Sequence, residues 1–403
     1  MAHIEDRWYR RAKDGRRVPT ALHGRGLRYR VRYIDPNGRE RAKSFPHRDK
    51  GAAEAFLVTV EADKLRGSYL DPDAGRIPFR RYAVAWLAAQ TFDESTREAT
   101  ETRLRVHIYP SLGSRALGSI RPSHIQAWDR ALQQQGVAPT YRRVLFANLS
   151  AIFAAAVDDE RIAKNPCRAG SVKPPRLLSR KVKPWTREQV LAVCGALPAR
   201  YQAAATIAAG CGLRQGEVFG LAVDDIEFLS RTLHVVRQVK IIRGRLVFAL
   251  PKGRKTRDVP LPETVATVLA THVTAFPPEE ITLPWERPAG DPVTVSLLLS
   301  SRERKALNRT HFNQYVWKHA LGAAGLEPSR DNGMHALRHF YASVLLDAGE
   351  SIKALSEYLG HSDPGFTLRT YTHLMPASEQ RTRQAVDRVL VDGATTTDGL
   401  STA

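Results

Sequence analysis

The spacing of apolar positions changes along the chain, and each change marks a new structural unit. Leu27-Arg-Tyr-Arg-Val-Arg-Tyr-Ile34 alternates apolar and basic residues. Such alternation predicts a half-buried strand with arginines on one face. Asp35-Pro-Asn-Gly38 is a turn, in which Asn-Gly favours a hairpin, and Arg39 to Phe45 is the returning strand. From Lys50 to Leu65 the period becomes helical, and the helix should end near Gly67. Tyr69 to Arg76 is rich in turn formers and reads as a linker.

Residues 78 to about 168 read as almost wholly helical. Helices are expected at Phe79 to Ala89, Ser95 to Val106, from Arg121 onward, and at Pro139 to Asp158. Ser95 and Ser123 are the expected N-caps, with Glu98 closing a capping box over Ser95. From Asn165 to Pro184 periodicity is lost in a proline-rich, basic linker. Thr186 then opens a last domain, with Gln189 completing its capping box. Two alanine-rich helices follow, the second broken by Gly210 and Gly212, and a short helix runs from Arg214 to Leu221. Leu233 to Lys240, Arg245 to Leu250 and Arg257 to Leu261 are expected to form one small antiparallel sheet. Helices return at about 263–276, 310–324, 336–348 and 352–358, with Gly349 as a C-cap.

Composition narrows the class of partner. The 403 residues carry 61 Lys or Arg against 41 Asp or Glu, a net charge of +20. Such an excess points to a polyanion, most simply nucleic acid. Residues 1–50 alone hold fifteen basic and six acidic residues. No apolar run reaches the roughly 18 residues of a spanning helix, and the N-terminus does not read as a signal peptide. A cytoplasmic protein without membrane contact is therefore expected. The three cysteines lie far apart, which argues against a zinc site or a disulfide framework.

Candidate chemistry is concentrated in the last domain. Gly212-Leu-Arg-Gln-Gly-Glu217 sets Arg214 at a helix start, with Glu217 as an i, i+3 partner that is usually a surface pair. Pro251-Lys-Gly-Arg-Lys-Thr-Arg257 is a basic tip between two strands, holding Lys252, Arg254 and Lys255. Met334-His-Ala-Leu-Arg-His339 places His335 at a helix start and Arg338 on the same face, with His339 beside it. Leu359-Gly-His-Ser362 supplies His361, and Arg369-Thr-Tyr-Thr-His373 supplies Tyr371. Two guanidinium groups can hold a phosphodiester without a metal. A tyrosine hydroxyl can attack it, a lysine can protonate the leaving oxygen, and a histidine can take the phenolic proton.

These five motifs, in this order, resemble the tyrosine recombinase (phage integrase) family. The resemblance covers about residues 180 to 385, and the preceding domains more loosely. It implies an α+β multidomain protein of the DNA breaking-rejoining type. A small N-terminal β-sheet-plus-helix module of the arm-binding kind would span 1–72, and an all-helical core-binding domain 76–168. A linker at 169–184 would lead to a mainly α catalytic domain with a small antiparallel sheet at 185–385, and a flexible tail would span 386–403.

The resemblance also implies residue roles. Arg214 and Arg338 would hold the scissile phosphate and Lys252 would be the general acid, with Lys255 as the alternative. His335 would serve proton transfer, His361 would stand near the phosphate, and Tyr371 would be the nucleophile. Glu217 and His339 would support the site. Arg28, Arg30, Arg32, Arg142, Arg143, Lys173, Arg254 and Lys255 are candidate DNA contacts. No cofactor or metal is implied. Expected partners are double-stranded attachment DNA, three further copies in a tetramer, and accessory DNA-bending or directionality factors. A non-enzymatic repressor or architectural protein on this scaffold is the alternative, and a type IB-like topoisomerase is another.

Overall fold

The computed structural model describes residues 2–371 except 37, 68, 72, 178–181 and 362, together with 383, 386, 387 and 390. The expected tail and most of the stretch from 372 to 385 lie outside the described residues. The chain divides into two compact units, Met1–Leu178 and Ser179–Ala403. The division falls inside the proline-rich stretch 169–184.

The first unit opens with β1 (His3–Asp6), a hairpin of β2 (Tyr9–Arg11) and β3 (Arg17–Pro19), then β4 (Tyr29–Ile34) and β5 (Glu40–Phe45). Strand β4 is central in an antiparallel β1-β4-β5 sheet, with Tyr29 opposite Phe45 and Arg32 opposite His3. Its alternation works as expected. Tyr29, Val31 and Tyr33 are buried with Ala53 and Val60 of helix α1 (Lys50–Leu65). The other face carries Arg28, Arg30 and Arg32, half-buried rather than free. Arg28 pairs with Asp6 at 2.9 Å, and Arg32 with Glu5 at 2.9 Å and Glu40 at 2.8 Å. Strands β1 to β3 were not expected, because each is too short to display a period.

Helices α2 (Phe79–Ala89), α3 (Glu94–Arg103), α4 (Tyr109–Leu112), α5 (Pro122–Gln134) and α6 (Pro139–Asp158) build a second core. Phe79, Leu104, Leu149, Ile152 and Phe153 are fully buried in it. Two expected caps are corrected. Asp93, not Ser95, caps α3, accepting from Thr96 N–H at 2.9 Å while the Ser95 hydroxyl donates to the same carboxylate. An ionised acceptor two residues earlier outcompetes the serine. Helix α5 starts at Pro122, whose fixed φ suits the first helical position, so Arg121 rather than Ser123 is its N-cap.

The second unit begins with α7 (Arg187–Ala196) behind its Thr186–Gln189 capping box, then α8 (Ala199–Cys211) and α9 (Gln215–Phe219). Gly210 stays helical, and only Gly212 ends α8, at φ +67°. The expected single sheet is in fact several. Strands β6 (Ile226–Glu227), β7 (Thr232–Val235) and β10 (Arg257–Pro260) form one. Strands β8 (Gln238–Ile242) and β9 (Arg245–Ala249) form another. The chain breaks between β7 and β8 where Arg237 turns to the buried Asp225. A third pair, β11 (Glu279–Pro284) with β12 (Pro292–Leu297), follows α10 (Glu263–Ala275) and was not foreseen.

Helices α11 (Arg309–Phe312), α12 (Lys318–Ala323), α13 (His335–Asp347), α14 (Ile352–Leu359) and α15 (Pro364–Tyr371) complete the described fold. Helix α9 lies directly on β8, because a Cβ at Gly220 would meet Gln238 Cα at 2.9 Å. That close approach fixes where Arg214, the N-cap of α9, is held.

Candidate active site

The last carbonyls of α14 gather the site. Gly360 ends that helix in the left-handed conformation, φ +61°, and the final carbonyls are left without helical partners. Three consecutive ones each take an arginine. Tyr358 O accepts from Arg257 Nε at 2.7 Å, Leu359 O from Arg338 Nη2, and Gly360 O from Arg214 Nη2 at 3.4 Å. The negative end of the helix dipole favours cations at this point.

Glu217 binds two of these arginines from the other side. As third residue of α9 it reaches back to the Arg214 backbone N–H, with Oε2 at 2.9 Å. Arg214 Nη1 donates to Oε1 at 2.9 Å. Arg257 forks onto both oxygens, at 3.1 and 2.6 Å. The pair expected at the surface is therefore buried, with Glu217 only 1% exposed. Burial alone would raise its carboxyl pKa. The hydrogen bond and charge of Arg257, and the charge of Arg214, outweigh that and hold it at about 2.

Arg338 is also 1% exposed. Its Nη1 donates to Gly212 O at 2.7 Å, and its Nη2 lies 3.0 Å from His361 Nε2. His361 Nδ1 lies 2.6 Å from Thr367 Oγ1, which also accepts from the Ser356 hydroxyl at 2.8 Å. Tyr371, the last residue of α15, is buried, and its hydroxyl lies 2.8 Å from His339 Nδ1. His335 packs edge-on against His339, ring centroids 4.6 Å apart.

The electrostatics follow from burial among cations. Burial, then the charge of Arg338, lowers His339 to about 4. Burial, then Arg338, Arg214 and Arg257, lowers His361 to about 3. Both imidazoles are thus neutral at pH 7 and able to accept a proton. His335 stands exposed at the rim. Desolvation, then the charges of His339, Arg338, Arg214 and Lys252, presses it below the ordinary histidine value. Burial raises the Tyr371 phenol, against the pull of Arg338 and Arg214.

The structure brings Arg214, Glu217, His335, Arg338, His339, His361 and Tyr371 together. Lys252, on the exposed turn before β10, is close enough for its charge to act on His335. Lys255 and Arg254 are exposed on the same turn, Arg254 pairing with Glu286 at 3.0 Å. In the first unit Arg143 and Lys173 are exposed. Arg142 is not. It shares the inner face of α6 with Leu145 and Phe146 and lies buried 3.7 Å from Asp129, so its expected outward position is corrected.

Arg257, Thr367 and Ser356 were not singled out from the sequence. A signal existed for Arg257, since strand alternation sets it on the same face of β10 as the buried Val259. Nothing in the sequence distinguishes Thr367 from any helical threonine.

Comparison with known proteins gives the family. Residues 184–378 match the phage integrase family and residues 79–171 the phage integrase central domain. A XerC-like tyrosine recombinase of Caldanaerobacter subterraneus is 28% identical, over 68% of this chain and 72% of its own. The tyrosine recombinase XerA of Thermococcus kodakarensis is 30% identical, over 53% of this chain and 67% of its own.

The same fold occurs in solved structures. The Tn1549 transposon integrase in complex with a circular intermediate DNA superposes with TM-score 0.65 at 20% identity, covering 78% of this chain and 99% of that one. The lambda integrase tetramer bound to a Holliday junction gives 0.55 at 17% identity, covering 83% and 93%. Fold and matches together define a tyrosine-type enzyme of site-specific recombination. The chain belongs to the phage integrase family.

Proposed function

We propose that this chain integrates and excises a phage or other mobile element, cutting and rejoining DNA through a 3′-phosphotyrosyl intermediate. One observation carries the reading: three arginines, two half-buried neutral imidazoles and a tyrosine hydroxyl are gathered at the end of α14. Arg214 and Arg338 hold the non-bridging oxygens of the scissile phosphate, where guanidinium geometry suits the developing charge. The Tyr371 oxygen attacks phosphorus and the bond to the 5′-oxygen breaks. The phenolic proton passes to a neutral imidazole, His335 or His339, and the Lys252 ammonium protonates the leaving 5′-oxygen. Attack of a 5′-hydroxyl on the phosphotyrosine reverses these steps. These cations neutralise the phosphate themselves, so the scheme uses no metal.

Tyr371 is 1% exposed, so α15 leaves its seat before the reaction. The module at 1–72, with Arg28, Arg30 and Arg32, binds arm-type DNA. The domains at 76–168 and 185–385 each bind the core site, Arg143, Lys173, Arg254 and Lys255 meeting its phosphates. Four protomers assemble on DNA in the cytoplasm, as lambda integrase does on its Holliday junction, with DNA-bending or directionality factors as accessories.

Covalent trapping tests the reading. The full chain is incubated with a duplex from the junctions flanking its own element, nicked beside the cleavage point, and then denatured. A protein–DNA adduct should form, should survive chelator, and should be absent with Tyr371→Phe. Tight binding without an adduct would refute the enzymatic scheme.

A further inference from the structure

Thr367 belongs to α15 and lies four residues before Tyr371, on the same helical face. It is fully buried, as is its partner Ser356. Helix α15 is thus seated by two polar contacts one turn apart. One is Tyr371 to His339. The other is Thr367 to His361 and Ser356.

The second contact fixes a proton. A guanidinium has no acceptor, so the Arg338 Nη2 group, 3.0 Å away, must donate to His361 Nε2. Nε2 therefore carries the lone pair. In a neutral ring the proton is then on Nδ1, which donates to Thr367 Oγ1 at 2.6 Å. A phosphate oxygen also only accepts. While α15 is seated, His361 presents a lone pair at Nε2, where phosphate recognition needs a proton, and it occupies a donor of Arg338.

We propose that Thr367 is a positioning residue that, by accepting from Nδ1–H, locks the His361 ring against Arg338 while α15 is seated, and releases it when α15 carries Tyr371 to the phosphate. This rests on the recombinase reading above. On release Nδ1 loses its acceptor. The ring exchanges a proton with solvent, losing it at Nδ1 and gaining it at Nε2. Nε2–H then turns from Arg338 toward the phosphate, and Arg338 regains the donor it had given to the histidine. One helix displacement thereby readies both the nucleophile and the phosphate seat, so neither is competent alone.

The test is nitrogen NMR of the full-length chain labelled at histidine, free of DNA at pH 8, with His361→Gln identifying the signal. Wild type and Thr367→Ser should show His361 protonated at Nδ1. Thr367→Val, which keeps the shape and removes the acceptor, should keep that tautomer, which Arg338 sets, but lose the downfield shift and the slow solvent exchange of the Nδ1 proton. On the nicked duplex, Thr367→Val should raise adduct formation about two- to twelvefold, the range for loss of one net hydrogen bond from the resting state. Nε2–H in the wild type, or an unchanged Nδ1 proton signal in Thr367→Val, overturns the proposal. The expected Nδ1 proton signals with no adduct from any form would leave Thr367 in its role and instead count against the recombination chemistry.

Discussion

At the residue scale the site is a problem of charge held out of water. Glu217 has 0% and Arg257 8% of its side chain exposed, and the carboxylate faces Arg214 as well. Removing one partner of a buried pair leaves the other uncompensated, which costs about 3–5 kcal/mol. Glu217→Gln keeps the shape and removes the charge. It should destabilise the full chain in urea by about that amount, and a loss below about 1 kcal/mol would show that the carboxylate is not the essential counter-ion.

The histidines give a second prediction. His339 and His361 are lowered to about 4 and about 3 from an ordinary 6.5. Unfolding lets them protonate more readily, so the unfolded chain binds more protons below pH 6.5. Their contribution is whole above that pH and is lost as pH falls from 6.5 toward the folded values. The raised pKa of His234, between Asp258 and Glu227, acts in the opposite sense, but that ring is solvated. Tm should therefore fall between pH 7 and 5, and a His339→Gln, His361→Gln double variant should flatten the decline. An equally steep decline in the double variant would refute this source.

At the scale of elements, helix ends and turns build the site, and the two were unequally legible. Helix α6 was read residue for residue, because a long amphipathic period leaves little choice. The capping box at Thr186 was legible for a similar reason, since two side chains announce it. The gathering of three arginines on consecutive carbonyls was not, because carbonyl direction follows from the Gly360 conformation and not from side-chain pattern. Strand β7–β8 was misread as continuous because its break depends on Asp225, distant in sequence from the apolar run. The motifs named residues that the structure gathers at one place, while the contacts that align them, from Arg257 and Thr367, are tertiary.

The turn before β10 bears the remaining choice between lysines. Lys252 acts electrostatically on His335, which favours it as the acid. Lys252→Ala should slow cleavage about 10²- to 10⁴-fold, the usual range for a general acid. A duplex whose leaving 5′-oxygen is replaced by sulfur needs no proton donor, so the variant should recover on it. Lys255→Ala should show neither loss nor recovery, and recovery by Lys255→Ala instead would reverse the assignment.

At the scale of the whole molecule the net charge of +20 is a statement about DNA affinity and its salt dependence. Each lysine or arginine on a phosphate releases counterions, and log affinity falls by about 0.9 per contact per log unit of salt. Arg28, beside β4, and Arg32, within it, are already paired with Asp6, Glu5 and Glu40, so they contribute less than their charge suggests. Arg143 and Arg142 are sequence neighbours with opposite fates, one exposed and one buried beside Asp129. Replacing Arg143, Lys173 and Lys255 by alanine should therefore flatten the salt slope of core-site binding by about 2.7, three contacts at that rate. Arg142→Met should leave the slope unchanged, because a buried guanidinium releases no DNA counterion. An equal effect from Arg142→Met would mean that α6 presents its inner face to DNA after all.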